Sequence, residues 1–145
     1  MSKIFHIVLH GSAVFLESGK PIFRSFEYFA GHASSLGDAL NRASVLAMNA
    51  PLLIEGTRVE LVYVSIIAGG NFVSVASYDD QQLKWIKASN HSIKGLELKY
   101  QSLRDKYLST LDGAKMVRLN LLMELYEKAR NIFWNKQFRF IFDEV

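Results

Sequence analysis

Two histidines near the start of the chain, His6 and His10, are the first residues whose types and spacing could do chemistry. In an extended strand they lie on the same face, because alternate residues share a side. Two imidazoles and a third ligand can hold a metal ion. The neighbouring sequence supplies neither a carboxylate motif nor a cysteine to complete such a site. We therefore interpret the two histidines as a solvated or hydrogen-bonded strand surface, and we expect no metal and no cofactor.

A pair of carboxylates, Asp79 and Asp80, could support metal-assisted chemistry. Adjacent side chains usually point apart, and acidic residues also suit the start of a helix, so we interpret the pair as a helix cap. The sequence contains no phosphate-binding glycine loop, dinucleotide fingerprint, nucleophile elbow or zinc-protease helix. With no cysteine it also lacks thiol chemistry. The chain is predicted not to be an enzyme; an enzyme with dispersed catalytic residues is the alternative that would need a deep pocket around these histidines or aspartates.

The second half of the chain is basic. Up to Leu83 there are five Lys or Arg against seven Asp or Glu, and from Lys84 onward there are twelve against seven. Cations interleaved with aromatic residues can bind phosphates and stack on bases, which makes nucleic-acid binding the second functional hypothesis. Glu97 and Asp105 interrupt the basic series, as on an ordinary solvated helix face. The residues that would carry nucleic-acid binding are Lys84, Trp85, Lys87, Lys94, Lys99, Lys136 and Arg139.

The elements that must position these residues begin with strands. Period-two alternation over residues 4–17 predicts either a hairpin or one bulged strand, and the aromatic residues 22–30 predict another strand. Ser35 followed by Asp38 predicts a helix start, and Pro51 ends that short helix.

The clearest local signal is Gly69-Gly70 between two β-branched runs, which predicts a hairpin with a type I′ turn. In this register Ala68 faces Asn71 and Ile66 faces Val73. The predicted consequence is one all-apolar sheet face made by Val62, Val64, Ile66, Val73 and Val75.

The remainder predicts an antiparallel helical hairpin over about residues 80–136, with a turn at Asp112-Gly113. Whether residues 80–111 form one helix or two stays open. A heptad stripe on the first helix has the spacing of an interface with a partner as well as of an internal core. Its members are Ile93, Leu96, Tyr100, Leu103 and Tyr107. Alternating Phe138, Phe140 and Phe142 predict a last strand.

We thus expect one α+β domain over residues 1–145: an antiparallel sheet of about five or six strands, one short helix and a C-terminal antiparallel helical hairpin. The functional hypothesis is a non-catalytic protein–protein interaction module, such as an adaptor, inhibitor, immunity or assembly factor. Its partner is a protein of unknown identity or a second copy of the chain, bound through the helical hairpin. The absence of cysteine and of a membrane span or leader predicts a cytoplasmic location away from membranes.

Overall fold

The computed structural model describes the main chain of residues 3–49 and 58–143 and the side chains of residues 3–49 and 59–136. It shows a five-stranded antiparallel sheet in the order β2-β1-β3-β4-β5, with a C-terminal pair of long helices, which confirms the α+β class. The elements in chain order are β1 (Phe5–Glu17), β2 (Lys20–Ala33), α1 (Leu36–Met48), β3 (Arg58–Ala68), β4 (Asn71–Asp79), β5 (Gln82–Trp85), α2 (Ile93–Ser109) and α3 (Gly113–Asp143).

Three two-residue turns connect the hairpins of this sheet. In each turn both residues have positive φ, as a type I′ turn requires, and the predicted glycine pair is among them. The turns are Ser18-Gly19, Gly69-Gly70 and Asp80-Gln81.

The prediction that Asp79 and Asp80 cap a helix is wrong. Asp79 ends β4, and Asp80 adopts a φ of 50° in the turn to β5, a conformation that Asp tolerates better than most residues. The helix begins later, where the Ser92 side chain accepts a hydrogen bond from the Gly95 amide at 2.9 Å. The helical hairpin therefore starts at Ile93 rather than at about residue 80, and the preceding segment is a strand and a loop.

The predicted final strand is also wrong. The last helix, α3, runs without interruption from Gly113 to Asp143 and includes the segment with alternating phenylalanines. No glycine or proline follows Gly113 within that span. Each added residue then completes another helical hydrogen bond, which outweighs the strand preference of the aromatic residues.

A bulge changes the predicted register of the β3–β4 hairpin. Ala68 pairs with Asn71 as expected, but Ile66 pairs with Ser74 instead of Val73. One extra residue turns every later side chain to the opposite face. Val75 therefore packs on the other side of the sheet from Ile66, so the single all-apolar face is a wrong prediction.

Both faces of the sheet are instead covered, one by α1 and the other by α3 with α2 behind it. The buried residues on the first face, the α1 cluster, are Ile7, Leu9, Ala33, Ala39, Ala43, Ala47, Leu61, Val64 and Ile66. Those on the second face, the α3 cluster, are Val62, Tyr63, Val75, Leu96, Leu121, Leu125, Ala129, Ile132 and Phe133. The helix cap predicted at Ser35 is present, since its side chain accepts the Asp38 amide at 3.2 Å.

Residues 5–17 form one continuous strand rather than a hairpin, but the bulges lie on its two neighbours, where the extra residues are Ala30 of β2 and Val62 of β3. The β1 strand changes register against β3 at Gly11. A Cβ atom at that position would overlap the Glu60 carbonyl oxygen and the Phe26 ring, so only glycine fits.

Candidate functional site

A buried polar cluster lies between the sheet and α3, centred on His10. Its side chain is 3% exposed. The His10 ring stacks on Tyr63 with ring centroids 4.1 Å apart and an interplanar angle of 4°. Its Nε2 atom lies 2.8 Å from Ser65 Oγ. Direct pairing of His10 with Tyr63 across β1 and β3 brings these side chains together on one face.

Helix α3, which packs on this face of the sheet, contributes the remaining two members of the cluster, Glu124 and Lys128. The Tyr63 hydroxyl donates a hydrogen bond to Glu124 Oε2 at 3.1 Å and accepts one from Lys128 Nζ at 2.7 Å. Glu124 and Lys128 are one helical turn apart, so they present their side chains on the same side of α3. The Lys128 ammonium also lies 4.5 Å from the centroid of the Phe72 ring.

Burial shapes the charge states of this cluster. Removal from water, reinforced by the positive charge of Lys128, lowers the pKa of His10 to about 3. Burial first, and then the charge of Glu124, raises the pKa of Tyr63. Burial lowers the pKa of Lys128, while Glu124 and Glu27 oppose that shift. At neutral pH His10 and Tyr63 are therefore both uncharged.

A neutral histidine beside a serine hydroxyl has the composition of a base and nucleophile pair, but its setting does not suit catalysis. Ser65 is fully buried and His10 is only 3% exposed, so neither side chain is open to a substrate in this structure. The cluster fixes β1, β3 and α3 to one another.

His6 is exposed as expected, whereas the prediction that His10 lies on a surface is wrong. Within the described residues no group of His, Asp and Glu side chains is arranged to hold a metal ion.

The heptad stripe predicted as a partner interface lies mainly between α2 and α3. Leu96 is 1% exposed and Leu103 is 8% exposed. Leu96 belongs to the α3 cluster, and Glu97 beside it accepts a hydrogen bond from Arg130 Nε at 2.6 Å. The other three members are half-buried: Ile93, Tyr100 and Tyr107. Closing the hairpin thus uses most of the stripe, and binding of a partner there stays a prediction.

The residues predicted for nucleic-acid binding are distributed over both faces. Trp85 packs against the α1 cluster, whereas Lys94 and Lys99 are exposed on α2 beyond the opposite face. Lys84 forms an ion pair with Asp79 at 3.4 Å. Lys87 and Lys136 are also exposed, and the side chain of Arg139 lies outside the described residues.

One basic groove does occur, between the start of β1, the start of β4 and α3. It has a volume of about 450 Å³. Lys3 and Lys136 line it together with Phe5 and Phe72, and Lys136 is its one member from the predicted nucleic-acid set.

Strand β2 forms the longer edge of the sheet. Within the described residues its hydrogen-bonded neighbour is β1, on one side. The two-residue turn makes Glu17 and Lys20 a hydrogen-bonded pair. Along the hairpin, hydrogen-bonded pairs then alternate with non-hydrogen-bonded pairs. The residues between them direct their main-chain N–H and C=O groups away from β1. Between Pro21 and the β2 bulge at Ala30 these residues are Phe23, Ser25, Glu27 and Phe29.

The two ends of this edge are closed by different means. Pro21 has no amide to donate. At the other end Arg42 of α1 donates a hydrogen bond to the His32 carbonyl oxygen at 2.9 Å, and Leu46 packs over Gly31. Among the residues that the structure describes, no strand pairs with the remaining part, residues 23–29, which we call the free edge. It carries two large exposed side chains, Tyr28 at 40% and Phe29 at 61%.

Sequence reasoning identified β2 as a strand but did not identify it as the edge. The aromatic composition of residues 22–30 is equally typical of a central strand, so the position in the sheet had no local signal. The cue that sequence does offer is Pro21, since proline within a sheet favours edges and strand starts.

Among the described residues, no helix has both the length and the apolar character needed to cross a membrane. Comparison of the chain with models of protein families, with curated proteins and with solved structures gives no significant match.

Proposed function

We propose that this protein is a non-catalytic protein-binding module that recognises an extended segment through the free edge of β2. The observation that carries the proposal is the row of outward-directed main-chain groups at Phe23, Ser25, Glu27 and Phe29, open between two closed ends. Unpaired strand edges bind extended peptides by adding a strand to the sheet, with main-chain hydrogen bonds supplying affinity. The proposal keeps the cytoplasmic location expected from sequence.

Apolar side chains next to the free edge add to this capacity. Tyr28 and Phe29 project on opposite faces of β2, so a bound strand would meet an aromatic side chain on each face. A solvent-exposed strand edge with apolar side chains promotes aggregation of a monomer unless a binding partner covers it. The burial of His10 supports a structural role for the polar cluster, because a partner cannot contact a buried side chain. We therefore assign recognition to the free edge of β2.

Site-specific photo-crosslinking tests the proposal. A photoreactive phenylalanine analogue replaces Phe29, which is exposed and aromatic, and the protein is irradiated in an extract of its source cells. We expect an adduct of defined mass that is lost in a Ser25→Pro background, because proline removes one outward amide without removing a hydrogen bond to β1.

Two controls make this result specific. Ser25→Ala removes the same side-chain hydroxyl but keeps the amide, so it should retain the adduct. The photoreactive residue at Leu108, which is 70% exposed on α2, reports on contacts of the helical hairpin instead. An adduct at Leu108 alone, or one that survives Ser25→Pro, would contradict recognition through β2.

Nucleic-acid binding is the second candidate, and the groove with Lys3 and Lys136 is the observation that favours it. Fluorescence anisotropy of a single-stranded oligonucleotide separates it from the first proposal. Binding that weakens steeply with salt, and that is lost in Lys3→Glu with Lys136→Glu, would support this candidate. The matched reversal, Lys94→Glu with Lys99→Glu on α2, tests the helical surface. We expect no salt-sensitive binding in the unmodified protein.

A further inference from the structure

We propose that the strand added to the free edge is β2 of a second copy, paired antiparallel about a two-fold axis that passes at Phe26. This inference rests on the proposed function and names its partner. The product is a dimer with one continuous ten-stranded sheet made from two five-stranded ones.

The position of the axis follows from the closed ends. Pro21 limits the free edge at the start of β2, and α1 limits it after Phe29. Phe26 is the central residue of what remains, residues 23–29. Two antiparallel strands in one sheet are related by an axis perpendicular to the sheet, so each residue must meet one from the same face. An axis at Phe26 satisfies this condition and uses the whole free edge.

The pairs formed in this register are complementary. Among outward-directed residues, Phe23 meets Phe29 of the second copy and Ser25 meets its Glu27, which gives about eight main-chain hydrogen bonds over the symmetric set. The intervening positions place aromatic groups and cations together on the other face. There Arg24 meets the second copy's Tyr28, and the two Phe26 positions are directly opposite each other, although each ring covers Gly11 of its own chain.

The neighbouring symmetric registers are less favourable. An axis at Glu27 would set the two Glu27 carboxylates directly opposite each other, which is repulsive. An axis at Ser25 would oppose Phe23 to Glu27 and Phe29 to Pro21, losing an aromatic pair and a donor. In the register at Phe26 the two Glu27 side chains are only diagonal neighbours, and each interacts electrostatically with Lys128 of its own chain.

Mass measurement tests the dimer. Light scattering after size-exclusion chromatography of the full chain, over a range of loading concentrations, should give about twice the chain mass of 16.5 kDa at high concentration. Ser25→Pro should return the mass to that of one chain, while Ser25→Ala should remain dimeric. A single-chain mass at every concentration, or a dimer unchanged by Ser25→Pro, would overturn the inference.

The register is tested by disulfide formation, for which the chain has no competing cysteine. Phe26→Cys should form an intermolecular disulfide on mild oxidation, because non-hydrogen-bonded partners have Cα atoms about 4.5 Å apart. Tyr28→Cys alone should not, since its copies would be separated by roughly 13 Å along the strand. Mixing Arg24→Cys with Tyr28→Cys should give the mixed dimer, which keeps Phe26 in place if its loss impairs folding.

The outcomes separate this inference from the function on which it rests. A crosslinked adduct at Phe29 whose mass shows a different protein, together with a monomer in light scattering, would refute the dimer and leave binding through β2 intact. An adduct with the mass of two chains, together with the disulfide at Phe26, is the expected result. Cross-linking at Tyr28→Cys alone would contradict the axis at Phe26.

Discussion

Acid should destabilise this protein through His10 in particular. The buried ring has a pKa of about 3 in the folded chain, against about 6.5 when unfolded. Between these values the unfolded chain binds a proton that the folded chain does not, so stability falls as the pH falls from about 7 towards 3. The test variant replaces His10 with Phe and Ser65 with Ala, which keeps the stack on Tyr63 and removes both members of the hydrogen bond.

The size of the effect follows from proton linkage. Lowering the pH from about 7 to about 4.5 should reduce the free energy of unfolding by about 2.5 kcal/mol through His10. The reason is that His10 binds a proton in the unfolded chain, but not in the folded one, over roughly two pH units below its unfolded pKa. Urea unfolding at both pH values, on both proteins, isolates this amount, since the other titrating groups are common to the pair. An equal loss of stability in the native protein and in the double variant would refute the assignment of the acid sensitivity to His10.

Three further predictions, two of them with a matched control variant, are tested by urea unfolding. Leu96→Ala should cost about 2–5 kcal/mol because it empties a buried site between α2 and α3, whereas Leu98→Ala, 63% exposed on the same helix, should change stability by less than about 0.5 kcal/mol. Gly11→Ala should cost about 1–3 kcal/mol through overlap with neighbouring atoms, while Gly37→Ala, with open space in α1, should be neutral or stabilise by up to about 1 kcal/mol. Tyr63→Phe should cost about 1–3 kcal/mol, as two hydrogen bonds to charged groups are lost; no loss would show that these bonds contribute nothing net.

The parts of the fold that sequence predicts are those with a local physical cause. Gly69-Gly70 forms its type I′ turn because both positions need positive φ, and Ser35 caps α1 because its hydroxyl satisfies a free amide. The sequence does not predict the turn at Asp80, because the same residue type favours helix caps and left-handed turns. The bulge that opposes Ile66 to Ser74 has no signature in the residues themselves and follows from pairing within the whole sheet.

The candidate sites depend more strongly on tertiary structure. The partners of His10 are distant in sequence, and only the β1–β3 register brings Tyr63 beside it. The free edge of β2 is likewise a property of the strand order. Leu96 shows the reverse case: its heptad position was identified correctly, but the same spacing serves an internal helix pair and an external partner equally well.

The connectivity of the sheet has a consequence for the rate of folding. Three of the four strand pairs in the described sheet are hairpins closed by two-residue turns, and such hairpins form in about 1–10 μs. The remaining pair, β1 with β3, joins residues as far apart in the chain as His10 and Tyr63, with α1 between them. The chain loses the entropy of closing that long loop before most of the stabilising contacts between β1 and β3 can form. We therefore predict that docking of the first hairpin onto β3 limits the folding rate, so that substitutions between β1 and β3 slow refolding more than equally destabilising ones within α2.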